Sequence, residues 1–342
     1  MISTHHRTIF LVSVALLHVL AACGDHRLDE YRLSGPTMGT RFSVVVVTAS
    51  PFDQERLQTQ IYATLEDIDR QMSTYRPDSE LAKFNRSSLT EWMPVSAALC
   101  TAVDHALELG AATAGAFDVT VGPLVNLWGF GPDGPRNEPP AAADIAAAQS
   151  TTGRDNLQTD CELPAIRKHH ADLQVDLSGY AKGLAADDIA ALLDDNGISN
   201  YLVEIGGDLR ARGHNASEAK WRVAIEKPDP PHDVVEKIIH ISDLSVATSG
   251  DYRNFFEFEG ERFSHTIDPR SGRPVAHALA SVTVLGDGAA YADAMATALM
   301  VLGPDAGLAF AERGGIAACF LLRNGDDITE QMSTRFKDLV DR

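Results

Sequence analysis

Apolar residues recur at helical spacing over residues 53–71. Leu57, Ile61, Leu65, Ile68 and Met72 fall on one face, which predicts an amphipathic helix. Residues 96–113 repeat the pattern, with Leu99, Val103, Ala106 and Leu107 inward and Gly115 beyond the end. Ser79 is placed to cap a short helix carrying Leu81 and Phe84. Further helices are predicted over the alanine-rich 141–149, from about Tyr180 to Asn196 with Gly197 as the stop, and near 305–313. β-Branched runs predict strands at 40–48, 173–176, 201–205, 221–226, 237–241, 263–267, 280–285 and 316–322. GPTMGT, residues 35–40, reads as a loop. Residues 119–131 read as an irregular stretch, either lining a ligand or closed by apolar packing, and 132–140 as an exposed loop. Strands and helices are interspersed without strict βαβ repetition. The expected fold class is therefore α+β: mixed, largely antiparallel sheets with packed helices.

One apolar run does not belong to this pattern. His5, His6 and Arg7 precede IFLVSVALLHVL, which ends in Ala21-Ala22-Cys23-Gly24. It is short for a membrane span and is followed by small residues, as in a signal peptide. Leu20-Ala21-Ala22-Cys23 resembles a bacterial lipobox, which implies cleavage before Cys23 and lipidation of its thiol; the alternative is an ordinary secreted protein cleaved near Ala22. The expected organisation is a signal peptide over 1–22, a lipidated tether over 23–30 and one domain over 31–342, held on a bacterial membrane and facing the periplasm. A length of 342 residues with 44% hydrophobic and 23% charged content suits a globular protein of one or two domains. The net charge of −19 argues against nucleic acid as a partner. An anionic substrate would need a bound cation and a local basic cluster to invert the field. Cys100, Cys161 and Cys319 remain after processing. They form no C-x-x-C pattern, so neither a zinc site nor a redox motif is indicated. Cys100 and Cys319 fall in apolar runs that suit buried small residues. One disulfide is possible among the three, and the pairing is open.

The candidate chemistry gathers between Ala247 and Thr297. Asp293 and Thr297 stand i,i+4 on a predicted helix, so a carboxylate and a hydroxyl share one face. Hard oxygen ligands of this kind suit Mg²⁺, which binds few protein oxygens and completes its shell with water and phosphate. Taken alone, such a pair is more often a surface acid beside a half-buried neighbour. His265 precedes the IDPRSGRP turn and can act as a base near neutral pH. Arg253, Arg270 and Arg273 are candidate phosphate cations nearby. Upstream, Lys182 lies in the first turn of a predicted helix that follows Leu177-Ser178-Gly179. A cation there opposes the helix dipole and needs another reason, such as phosphate. Gly206-Gly207-Asp208 ends a strand and allows either close ligand approach or a bulge.

PTMGTRFSV, MSTYRPDSELAKFN, GAFDVTVGPLVNLWGFG, VDLSGYAKGLAAD, YLVEIGGDLRARG, WRVAIEKP, TSGDYRNFF, SHTIDPRSGRP and DAMATALMVLG, in this order behind a lipobox, resemble the ApbE family of bacterial FAD:protein FMN transferases. The resemblance runs from about Tyr31 to the C-terminus. It implies an enzyme that cleaves FAD with Mg²⁺, transfers FMN through its phosphate to a threonine of an acceptor protein, and releases AMP. It implies FAD contacts at Met38, Tyr75, Ala116, Phe117, Asp118, Asp176, Lys182 and Ile267. It also implies metal ligands at Asp293, Thr297 and the Gly179 carbonyl, and a catalytic role for His265. Some family members have an aspartate where this chain has Ala296, which offers only a backbone oxygen. The family's acceptors are subunits of membrane redox complexes, such as the sodium-pumping NADH:quinone reductase. Two other readings share these residues: a Mg²⁺-dependent FAD pyrophosphatase giving FMN and AMP, and a non-catalytic FAD-binding lipoprotein.

Overall fold

The computed structural model describes residues 28–228, 235–325 and 327–340, so Cys23 and the signal sequence lie outside the described residues. An eight-stranded sheet runs through the molecule in the order Asp29–Thr37, Thr40–Thr48, Tyr201–Ile205, Asp208–Arg212, Ser245–Gly250, Leu279–Gly286, Ala317–Asn324, Asp327–Met332. Every neighbouring pair is antiparallel. The sheet is covered on both faces, which is why Thr40–Thr48, Leu279–Gly286 and Ala317–Asn324 carry long buried runs. In Thr40–Thr48, Val44 and Val46 join the core beneath the helices, while Val45 and Val47 join a second core on the opposite face.

The helical face carries Gln54–Met72, Ala97–Ala112, Ala181–Asp195, Ala289–Leu302 and Pro304–Gly314. Asp53, Ser79 and Ser96 each accept a backbone N–H at the start of their helices, as expected of N-caps. All five residues of the first predicted apolar face are buried. Two helices at the centre, Ala181–Asp195 and Ala289–Leu302, touch closely. A Cβ at Gly183 would stand 2.3 Å from the Ala289 carbonyl oxygen. Asp187 accepts the Ala289 and Ala290 amides at 2.9 and 3.0 Å, so one helix caps the other. The opposite face carries the hairpin of Trp221–Glu226 and Val235–Ile241 and the C-terminal helix Thr334–Val340.

Several predicted elements are redrawn. GPTMGT is not a loop throughout: Gly35 and Pro36 complete the first strand, and only Met38-Gly39 turn, both with positive φ (46° and 71°). An outermost strand tolerates a proline because no neighbour needs its N–H on that side. The same strand takes in Asp29 and Glu30, which the tether was expected to hold. Residues 173–176 are extended but form only one bridge, Val121 to Gln174, because the Asn85 side chain takes both the N–H and the C=O of Val175 at 2.8 Å. Residues 119–131 contain a short helix, Gly122–Leu127, opened by Pro123. The predicted 263–267 strand breaks at His265, whose N–H goes to the Asn254 carbonyl instead of a ladder.

A small sheet of Met93–Pro94, Ala165–Lys168 and Leu157–Asp160 lies beside the helices. Cys100 and Cys161 form a disulfide that ties it to the Ala97–Ala112 helix, which resolves the open pairing. Cys319 is free and buried, and burial pushes its thiol up to about 12. Lys168 is fully buried, and its ammonium donates to the carbonyls of Phe84, Asn85 and Leu173. Desolvation lowers it to about 8.

Candidate active site

A cleft of about 620 Å³ opens beside the two central helices. At its floor Lys182, on the first turn of Ala181–Asp195, meets Asp208 at 2.9 Å and Asp293 at 3.1 Å. Both carboxylates are buried, at 2% and 5% exposure. Asp208 comes from the start of its strand, immediately after the Gly206-Gly207 turn, where both glycines have positive φ. Asp293 comes from the inward face of Ala289–Leu302, and its Oδ2 also takes the Gly183 N–H at 3.4 Å. Desolvation alone would lower the Lys182 ammonium, but Asp293 and Asp208 together hold it above its ordinary value. Two buried carboxylates share this ammonium. Desolvation first, and the Asp293 charge second, push Asp208 up to about 7. One helical turn on, Thr297 Oγ1 lies 3.0 Å from Ser249 Oγ. A Cβ on Gly179 would meet Thr297 Oγ1 at 3.0 Å, so the glycine lets the 178–180 backbone approach that hydroxyl.

The facing wall is made of loops. Tyr75 donates to the Phe130 carbonyl at 2.8 Å. Asp118 accepts the Thr120 N–H and hydroxyl at 2.8 and 2.7 Å, yet burial keeps its carboxyl above the usual range. Asp176 accepts the Ser178 N–H at 2.8 Å. His265 Nδ1 lies 3.1 Å from the Asn254 carbonyl. A carbonyl only accepts, so Nδ1 carries the proton and Nε2 keeps its lone pair. Desolvation lowers the half-buried ring below its ordinary pKa, opposed by the Asn254 carbonyl; among charges, Lys182 lowers it and Asp251 and Asp176 raise it. The loop is braced from behind. Trp128 stacks on Phe263 and donates to the Gly272 carbonyl at 2.8 Å, and Arg323 grips Asp251 with two 2.7 Å bonds.

The arrangement brings a base, a cation and oxygen ligands into one cleft able to hold an extended anionic substrate. Comparison with known proteins agrees. The ApbE family model matches residues 38–320. The chain belongs to the ApbE family. A Vibrio cholerae protein named FAD:protein FMN transferase is 43% identical over 334 residues, covering 97% of this chain and 99% of the relative. A Salmonella typhimurium protein of the same name is 45% identical over 311 residues, covering 90% of this chain and 89% of its own. The solved apo form of the flavinyl transferase ApbE of Pseudomonas stutzeri superposes with a TM-score of 0.85 at 41% identity, covering 92% of this chain and 98% of that one.

Within this ApbE-family chain, Tyr75, Ala116, Phe117, Asp118, Asp176, Gly179, Lys182, His265, Ile267, Asp293 and Thr297 all border the cleft. Met38 does not; it sits on the hairpin turn, next to Thr40, whose methyl approaches Gly206. Arg253 borders the cleft and pairs with Glu226. Arg270 is held by Asp268 at 2.8 Å, and neither it nor Arg273 reaches the cleft. Asp208 and Ser249 are the partners that sequence reasoning missed. The acid directly after paired glycines was the available signal for Asp208. The cation in the helix's first turn has its reason in two carboxylates. Among the described residues no group of three or more His, Cys, Asp or Glu is placed to hold a metal. The donor set of Asp293, Thr297 and the Gly179 backbone, with unbalanced carboxylate charge behind it, fits a hard cation that keeps water and phosphate in its shell. No described helix is long and apolar enough to cross a membrane.

Proposed function

We propose that the protein transfers FMN from FAD to a threonine hydroxyl of an acceptor protein, forming a phosphoester and releasing AMP. The observation that carries this reading is the convergence of Lys182, Asp293, Thr297 and His265 on one cleft, in a chain matched nearly end to end by relatives bearing that name. In the reaction the threonine oxygen attacks the phosphorus on the FMN side of the pyrophosphate. The bond from that phosphorus to the bridging oxygen breaks, and AMP leaves with that oxygen. His265 Nε2 takes the hydroxyl proton, and the Asn254 carbonyl fixes the ring for it. Lys182, whose charge Asp208 and Asp293 share, holds Asp293 in place beside the pyrophosphate. Tyr75, Ala116, Phe117, Asp118, Asp176 and Ile267 hold the rest of FAD. Asp293, Thr297 and the Gly179 carbonyl would hold Mg²⁺, which when bound neutralises phosphate oxygens and favours departure of AMP.

The proposed partners are subunits of membrane redox complexes such as the sodium-pumping NADH:quinone reductase. The proposed location is a bacterial membrane, periplasm-facing, through lipid on Cys23. The Cys100–Cys161 disulfide supports an oxidising compartment. Intact mass of the processed wild-type chain should show lipid on Cys23; an unmodified Cys23 there overturns the anchor. Incubation with FAD, Mg²⁺ and the unflavinylated acceptor subunit tests the activity by mass spectrometry. FMN on threonine supports transfer. Free FMN with AMP and no adduct makes the protein a pyrophosphatase, and unchanged FAD makes it a binder.

A further inference from the structure

The cleft extends beyond the residues assigned to FAD. Its far half is floored by Leu202, Leu209, Val246 and Thr248 of the large sheet and walled by the strand Trp221–Glu226. All of residues 222–226 border it, although Val223 and Ile225 point into the core and Arg222 and Ala224 point outward. Residues from both faces of a strand border a cavity only where the strand's edge does. That edge is open: the strand pairs with Val235–Ile241 on one side and with no strand on the other among the described residues. The outer strands of the large sheet have open edges too, but neither borders the cleft; Ser245–Gly250 is paired with Asp208–Arg212 only at Ser245 and Val246, and its open stretch meets the cleft where Ser249 contacts Thr297, at the reacting end.

We propose that an extended segment of the acceptor polypeptide adds to the Trp221–Glu226 edge as a third strand, and so delivers its threonine to the reacting end of the cleft. The proposal rests on the transferase reading above. An open edge supplies a row of N–H and C=O groups that captures any extended backbone, while pockets beneath choose alternate side chains. Here the floor of Leu202, Leu209 and Val246 suits small apolar residues at alternate positions. The polarity of the groove is set by its end. Glu226 is ion-paired to Arg253, and the next residue, Asn254, holds His265 through its carbonyl. A segment running along the edge toward Glu226 therefore emerges beside the base. Five bordering residues span roughly 15 Å, so the segment needs about five residues before the threonine. This arrangement separates the two substrates, with FAD on the loop wall and the acceptor on the strand edge.

Two measurements test this on the full chain, with the unflavinylated acceptor subunit as probe. Amide hydrogen exchange over residues 222–226 should slow when the acceptor is added to the FAD-free enzyme. Ala224→Pro should lower kcat/KM for the acceptor by about tenfold, as expected from the loss of strand pairing, while acceptor-free cleavage of FAD to FMN and AMP stays within about twofold of wild type. Unchanged exchange at saturating acceptor overturns the proposal, as does wild-type transfer by a folded Ala224→Pro. Protection by FAD alone, with nothing added by the acceptor, assigns the edge to the nucleotide and also overturns it. If Ala224→Pro does not fold, the exchange measurement decides. A wild-type enzyme that cleaves FAD but never labels the acceptor overturns the transferase reading, a failure visible before the strand edge is probed.

Discussion

The two walls of the cleft are built on different principles. Lys182, Asp208, Asp293, Thr297 and Ser249 stand on regular helices and strands flanked by core. Tyr75, the 116–118 turn, Asp176, His265 and Ile267 stand on short irregular stretches, several of them pinned by single hydrogen bonds to a carbonyl or amide. Charges packed within about 3 Å of one another, as Lys182 is with Asp208 and Asp293, interact steeply with distance in a poorly solvated site, so their scaffold must not move. Groups that recognise a large flat ligand tolerate, and use, looser support. The charged wall should therefore fail in chemistry and stability, and the loop wall, His265 apart, mainly in affinity.

The largest effect is expected from Asp293→Ala, which should reduce FMN transfer roughly a thousandfold. Rates measured across Mg²⁺ concentrations check it; a variant with wild-type rate and metal dependence would remove Asp293 from the site. Lys182→Ala comes next, because it leaves Asp208 and Asp293 buried together without a cation. It should cost about 3 kcal/mol of folding stability, and adding Asp208→Asn should recover part of that in thermal melts. A single variant that melts like wild type would make the charged wall no stiffer than its neighbour. His265→Ala should slow transfer about a hundredfold with FAD binding kept. Because the His265 pKa is lowered in the fold, the ring stays a neutral base below the ordinary value of about 6.5. The acid limb of the wild-type rate should thus fall below that pH, and an apparent pKa above it would contradict the burial argument. The same shift means that stability present above about 6.5 is lost as pH falls through the lowered value. Smallest is Tyr75→Phe, which removes the bond to the Phe130 carbonyl at an exposed position. It should change stability by less than about 1 kcal/mol and act mainly through KM for FAD.

Legibility in the sequence divides along the same line. Helical spacing was enough to place Asp293 and Thr297 on one face, although the helix is buried nearly all round and so announces no apolar period. Apolar runs of the large sheet and the cap at Ser79 were readable from local pattern as well. Asp208 carried a local hint in the paired glycines before it, but its partnership with Lys182 joins a strand to a helix across the core, and no local pattern encodes that contact. The extended run at 173–176 misled because its backbone partner is a side chain, Asn85, from another part of the chain. The gathering of Tyr75, Asp118, Asp176 and His265 was invisible to periodicity and came only from ordered motif resemblance.

Gly183 shows how narrow the inheritance of such a site is. Its backbone N–H reaches Asp293 Oδ2 at 3.4 Å, and a Cβ there would lie 2.3 Å from the Ala289 carbonyl oxygen and 2.7 Å from Ala290 Cα. Alanine would be a good helix residue at that position and would pass any local test. It would nonetheless wedge the two helices apart, one carrying the ammonium and the other its carboxylate partner. A descendant of this chain could keep every side chain of the cleft and still be silenced by one added methyl group.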